Sequence, residues 1–232
     1  MSDVNSPEEG FSQKSDSEIA KLRITEIFYS LQGETRTVGL PTVFIRLTGC
    51  PLRCQYCDTE YAFNGGEWQT LDDILEQVAN FPAKHITVSG GEPLAQPNCL
   101  PLLEKLCDAG YDVSLETSGA MDVSDVDPRV SKVMDLKTPD SQESHRNLYE
   151  NIQHLNSHDQ VKFVICSKQD YDWSKMQVDQ YQLTERVDDV LFSPSFHEIS
   201  ATDLADWIVA DGIQVRMQLQ LHKLLWNDEP GR

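Results

Sequence analysis

Short apolar runs rich in β-branched residues alternate along this chain with segments whose apolar residues recur at helical spacing. That alternation limits the fold more than any other feature. Strands separated by helices pair in parallel, because a parallel crossover needs about a dozen residues and a helix supplies them. The candidate strands are Leu22–Tyr29, Thr42–Leu47, His85–Ser89, Asp112–Glu116, Lys132–Leu136, Val161–Cys166, Val190–Ser193 and Gln214–Gln220. Thr70 opens a helix, with Asp73 three residues later as its capping partner. Leu71, Ile74, Leu75 and Val78 then fall on one face. A second helix starts near Asn98, carries the stripe Cys99, Leu102, Leu103 and Leu106, and stops at Gly110. A third runs from Thr202 toward Ala210. A closed eight-fold barrel takes about 250 residues. The 232 residues here fit an open, partial α/β barrel better. Segment 138–160 is polar and weakly periodic, which predicts a loop with a short helix.

Residues 1–18 hold five acids and one lysine among few apolar residues. Residues 1–21 are therefore expected to form a flexible acidic tail, and 22–232 a single domain. The net charge of −19 disfavours nucleic acid and anionic membrane surfaces as partners. No apolar stretch reaches the roughly 18 residues of a membrane span, and the N-terminus lacks a signal-peptide pattern. The expected compartment is the cytoplasm, and the expected partner is a small molecule.

Six cysteines occur, at 50, 54, 57, 99, 107 and 166. Three of them crowd into Cys50-Pro-Leu-Arg-Cys54-Gln-Tyr-Cys57. In a reducing compartment that crowding reads as metal or redox chemistry rather than disulfides. Three thiolates in one loop can hold three corners of an iron–sulfur cube and leave the fourth iron open. A structural zinc site is the alternative. Zinc prefers four ligands, commonly from two C-x2-C pairs, and the chain has one such pair, so the spacing favours the cluster. Cys99, Cys107 and Cys166 lie in apolar patterns and read as buried structural thiols.

C-x3-C-x2-C with Tyr56 before the last cysteine resembles the signature of the radical S-adenosylmethionine (SAM) superfamily. Ser89-Gly90-Gly91-Glu92-Pro93, Glu116-Thr117-Ser118-Gly119 and Asp135-Leu136-Lys137 agree with it, each just after a candidate strand. Ligands of parallel α/β sheets sit beyond the carboxyl ends of strands, and glycines at 90 and 91 would let backbone approach a ligand closely. Alone, Gly-Gly-Glu-Pro is an ordinary strand-to-helix turn.

More specific are Ser30-Leu31-Gln32-Gly33-Glu34, Phe44-Ile45-Arg46-Leu47-Thr48-Gly49-Cys50 and Cys57-Asp58-Thr59. With them the chain resembles the 7-carboxy-7-deazaguanine synthase family of queuosine biosynthesis from about Ile24 to Trp226. The resemblance implies a radical SAM fold, an open TIM-like barrel with one 4Fe-4S cluster on Cys50, Cys54 and Cys57. It implies SAM contacts from Gly91, Ser118, Asp135, Leu136 and Lys137. Leu31, Gln32, Gly33, Glu34 and Ser89 would contact a pterin, and Arg46 its carboxylate; a strand arginine paired with a structural acid is the other reading. Thr59 would ligate Mg²⁺, a turn cap being its alternative. In Gln220-Leu221-His222-Lys223, His222 would reach the substrate, against the usual structural role of a lone histidine. Pro230 would lie near the pterin, with Gly231 and Arg232 extending past it.

The implied reaction converts 6-carboxy-5,6,7,8-tetrahydropterin to 7-carboxy-7-deazaguanine. An external flavodoxin- or ferredoxin-type donor reduces the cluster, SAM yields a 5′-deoxyadenosyl radical, hydrogen leaves C6, the ring contracts and ammonia departs. The family also implies a homodimer. Two rivals share the cysteines: an activase that places a glycyl radical on a partner protein, and a non-enzymatic iron–sulfur or zinc module. Neither gives a reason for Ser30–Glu34 ahead of the cluster or for Gln220–Lys223 at the end.

Overall fold

The computed structural model describes residues 20–227, 229 and 231. Residues 1–19 of the expected acidic tail lie outside the described residues, as do Pro230 and Arg232. The first strand, β1 (Lys21–Leu31), pairs antiparallel with β2 (Pro41–Leu47) and with a short strand, β3 (Glu67–Thr70). From β2 onward the sheet is parallel: β4 (His85–Gly90), β5 (Asp112–Thr117), β6 (Ser131–Asp135), β7 (Gln160–Ile165), β8 (Asp189–Pro194) and β9 (Arg216–Met217). The order β3-β1-β2-β4-β5-β6-β7-β8-β9 leaves β3 and β9 as unjoined edges, so the barrel is open, as expected.

Helices cover one side of this sheet in two groups. The first is α1 (Leu71–Ala79) with α2 (Cys99–Asp108). Thr70 and Asp73 form the reciprocal cap that the sequence predicts, Thr70 Oγ1 accepting from Asp73 N and Asp73 Oδ2 from Thr70 N; a cap of this kind is worth about 1 kcal/mol. Ile74, Val78, Leu102, Leu103 and Leu106 bury against Val43, Ile45, Ile86 and Leu115. Gly110, at φ +87, ends the α2 turn where a side chain would be strained. The second group is α3 (Lys168–Gln180), α4 (Leu183–Arg186) and α5 (Ala201–Asp211), packed on β6, β7 and β8 through Phe163, Tyr171, Phe192 and Leu204. Cys99 and Cys166 are buried as expected, whereas Cys107 is only half-buried.

Three expectations change. The antiparallel β1 and the edge strand β3 extend a sheet that the sequence pattern makes wholly parallel. Of the expected strand Gln214–Gln220 only Arg216–Met217 is strand, with Gln218 N still donating to Phe192 O of β8 at 3.0 Å; the chain then turns into α6 (Leu221–Trp226), and the Gln218 and Gln220 side chains reach Glu34. Segment 138–160 folds as three short 3-10 turns, Pro139–Ser141, Ser144–Arg146 and Tyr149–His154, rather than one helix. Among the described residues no helix is long and apolar enough to cross a membrane.

Candidate active site

A cavity of about 640 Å³ opens at the carboxyl ends of the strands, within the range of small-molecule sites. The loop after β2 brings Cys50, Cys54, Cys57 and Tyr56 to one wall of it. Backbone hydrogen bonds tie this loop at both ends: Gly49 N donates to Ala62 O at 2.8 Å, and Cys57 N to Cys54 O at 3.2 Å. Segment 138–160 braces it from outside, with Gln55 N donating to Ser141 O at 3.1 Å and Arg53 N to Glu143 Oε1 at 2.6 Å.

The three thiols are free and half-buried. Burial pushes all three up, Cys54 to about 11. Thiolates in this setting need a compensating cation, which metal coordination provides. Among the described residues no three His, Cys, Asp or Glu side chains converge on one metal ion. A four-iron cube does not require that, since each thiolate binds its own iron; the donor set fits a cluster. Among the described residues, two buried atoms near it lack partners, Tyr56 Oη and Asp135 Oδ1. An unpaired buried acceptor or donor is costly, so both atoms suit a polar ligand such as SAM. The other Asp135 oxygen accepts from Lys137 Nζ at 2.8 Å. Burial lowers Lys137, yet Asp135, together with Tyr56 and Cys54, outweighs this and holds it well above the usual lysine value.

Leu136, expected with them, is fully buried in the core and does not line the cavity. Strand periodicity turns it away from its two neighbours. Ser118 does line the cavity, with its hydroxyl donated to Glu92 Oε2. Glu92 is fully buried and also accepts from Ser118 N, Thr117 Oγ1 and Leu94 N, so it welds the end of β5 to the Gly-Gly-Glu-Pro turn. Gly90 and Gly91 are required for a different close approach from the one expected. A Cβ on Gly90 would lie 2.2 Å from Leu47 O, and one on Gly91 2.2 Å from Gly49 O. Gly90 admits the end of β2 and Gly91 the start of the cysteine loop.

The cavity lining also carries charge. Gln32 is buried and donates to Thr87 Oγ1 at 3.0 Å. Glu34 accepts from Lys162 Nζ and from Gln220 Nε2, both at 2.9 Å. Burial would raise Glu34, but Lys162 holds it below the usual carboxylate value. Glu116 is raised by burial and by Glu34, with Lys162 only partly offsetting; it accepts from Ser89 Oγ at 3.1 Å. Arg46 lines the cavity, and its Nε donates to Glu26 Oε1 at 2.7 Å, the pairing with an acid that the other reading of this arginine expects. Thr59 lines the cavity and donates to Asp58 Oδ1 at 2.8 Å. It makes no side-chain cap to the turn it precedes, which removes its alternative role. Leu31 and Gly33 line the same cavity.

The chain's end packs against this lining. Leu221 N donates to Gly33 O at 2.9 Å, and the His222 ring occupies the space above Gly33, where a Cβ would lie 2.3 Å from Nδ1. Gln220 and Lys223 both donate to Asp58 Oδ2, at 3.2 and 2.9 Å, joining α6 to the cysteine loop.

Residues 44–174 match the radical SAM superfamily. A 7-carboxy-7-deazaguanine synthase of Koribacter versatilis is 39% identical over 222 residues, covering 90% of this chain and 98% of that protein. A synthase of the same name from Chlorobaculum tepidum is 41% identical over 213 residues, covering 90% and 96%. The chain belongs to the 7-carboxy-7-deazaguanine synthase family of radical SAM enzymes. The crystal structure of QueE from Escherichia coli shares the fold, with a TM-score of 0.72 at 24% identity over 87% of this chain and 95% of that one. Sequence reading missed Lys162 and the buried role of Glu92. A single lysine inside the apolar run Val161–Ile165 is the signal for the first.

Proposed function

We propose that the chain converts 6-carboxy-5,6,7,8-tetrahydropterin to 7-carboxy-7-deazaguanine with loss of ammonia, using a 4Fe-4S cluster, SAM and Mg²⁺. The observation that carries this reading is one cavity lined both by three thiols and by a guanidinium and carboxylates suited to a carboxylated pterin. Cys50, Cys54 and Cys57 would hold the cluster. Bound together, cluster and SAM supply a carbon-centred radical able to take hydrogen from an unactivated C–H bond.

The protein's own task is to hold, orient and shield. Asp135, Lys137 and Tyr56 give SAM polar partners near the cysteines, and Gly91 and Ser118 border the same space. Arg46 binds the substrate carboxylate as a charge-assisted pair. Glu34, kept ionised by Lys162, accepts from pterin N–H groups, with Leu31, Gln32, Gly33, Ser89 and His222 around the ring. Glu116, raised by burial, can keep or give a proton beside the reacting ring. Thr59, its hydrogen donated to Asp58, would have oxygen lone pairs free to hold Mg²⁺, which would supply charge to neutralise the substrate's oxygens. α6 covers the pterin wall and keeps bulk water out. The electron comes from an external flavodoxin- or ferredoxin-type protein, and the enzyme works as a cytoplasmic homodimer.

The test is an anaerobic mixture of iron-loaded protein, SAM, reductant and the carboxypterin. Formation of the deazapurine is expected. Methionine and 5′-deoxyadenosine without deazapurine would reject the substrate and leave the enzyme class standing.

A further inference from the structure

Glu26 and Arg46 face each other across the antiparallel pair of β1 and β2, immediately after an irregularity in the register between Ile24 and Glu26. Arg46, Phe28 and Tyr61 line the cavity, while Glu26 sits behind them. Glu26 Oε1 accepts twice: from Arg46 Nε at 2.7 Å and from Tyr61 Oη at 2.8 Å. The Arg46 guanidinium also lies 5.7 Å from the Phe28 ring centroid and 5.8 Å from that of Tyr61. Phe28 is itself fixed by stacking on Phe44 at 4.9 Å. The guanidinium is thus held on its Nε edge by an acid and lies near two rings. Among the described residues, no acceptor bonds to either terminal nitrogen.

A guanidinium can grip a carboxylate through Nε and one terminal nitrogen, or through both terminal nitrogens. With Nε occupied, only the second mode is open. We propose that Glu26 and Tyr61 are positioning residues that aim Arg46 so that the cavity selects a carboxylate bound end-on by its two terminal nitrogens. This rests on the reading of Arg46 as the substrate's carboxylate anchor. Neither residue need touch the substrate carboxylate. Their effect is to fix a long side chain in its binding geometry, which spares the entropy of ordering it later.

The experiment measures binding to the iron-loaded protein without reductant, so that no turnover intervenes. The probes are the carboxypterin and its 6-carboxamide, and the readout is the ratio of their Kd values. Glu26→Ala is expected to weaken the carboxylate about tenfold, the scale of one misplaced charge-assisted hydrogen bond, with the carboxamide unchanged. Tyr61→Phe, which removes only one hydrogen bond, shifts the ratio the same way by a smaller factor. It carries the test if Glu26→Ala does not fold. Arg46→Ala abolishes the preference. A preference kept in Glu26→Ala and Tyr61→Phe but lost in Arg46→Ala overturns the positioning role alone. A preference kept in Arg46→Ala overturns the anchor reading beneath it. Equal weakening of both probes by Glu26→Ala makes the acid merely structural and also overturns the proposal.

Discussion

Replacing Gly91 by alanine puts a methyl group 2.2 Å from Gly49 O, 2.6 Å from Gly49 C and 2.8 Å from Cys50 Cβ. Carbon contacts settle near 3.5 Å or more, so about 1 Å of relief is needed. The obstacle is backbone, and it is pinned: Gly49 O accepts from Glu92 N at 2.8 Å, and Gly91 N donates to Leu47 O at 3.1 Å. Cys50 must therefore move. Overpacking of this kind costs about 1–3 kcal/mol, or roughly 2–12 °C in Tm for a domain of this size. The functional loss is larger, because a displacement of about 1 Å at a reacting centre costs on the order of 10²-fold in rate. The assay pairs Tm with the rate of 5′-deoxyadenosine formation in iron-loaded protein. Gly110→Ala is the control. It adds strain at φ +87 with nothing within 4 Å of the new methyl, so it lowers Tm but leaves the rate intact. Wild-type rate in Gly91→Ala, or an equal loss in both variants, would refute the reasoning.

Lys162→Met strands the buried Glu34 carboxylate and should destabilise the fold by about 3–5 kcal/mol in urea titration; adding Glu34→Leu should restore much of that. An unaltered midpoint in the single variant would deny the pairing. The two acids give opposite pH dependence. Glu34, lowered, adds stability above pH 4.5 that is lost as pH falls through its folded pKa. Glu116, raised, favours the fold below pH 4.5 and loses that contribution as pH rises through its folded pKa. Glu116→Gln should therefore raise the urea midpoint relative to the parent at pH 7 and lose that advantage near pH 4. Gly33→Ala should displace His222 and weaken carboxypterin binding about tenfold while SAM affinity holds; unchanged pterin affinity would take His222 out of the site.

The parallel strands are legible because their β-branched runs are bounded by turn residues. The cap of α1 is legible because Thr70 is a good acceptor for an N-terminal turn. β3 is not. Glu67-Trp68-Gln69-Thr70 holds one apolar residue, and only pairing with Lys21–Ile24 makes it a strand. α3 hides for another reason: its buried face includes Asp170, Ser174 and Gln177, so no apolar stripe announces it. Asp170 is buried because it accepts from Cys166 N and Asp140 N, a tertiary fact. The last expected strand is cut short after Gln218, which alternation in Val215–Gln220 does not show, because Leu221 N bonds to Gly33 O of another segment and α6 begins there. The cysteine loop and the strand-end motifs are dense enough in chemistry to be found in one dimension. Lys162 and Glu26 are not, since each acquires its meaning from a partner on another strand.

The account stands on three thiolates holding a four-iron cluster whose remaining iron is open to SAM. Electron paramagnetic resonance of the anaerobically reduced protein, before and after SAM, tests this most directly. The prediction is about four irons per chain and a cluster signal that shifts when SAM is added, with iron lost from Cys54→Ala. Zinc in place of iron, or a cluster signal indifferent to SAM, would contradict it.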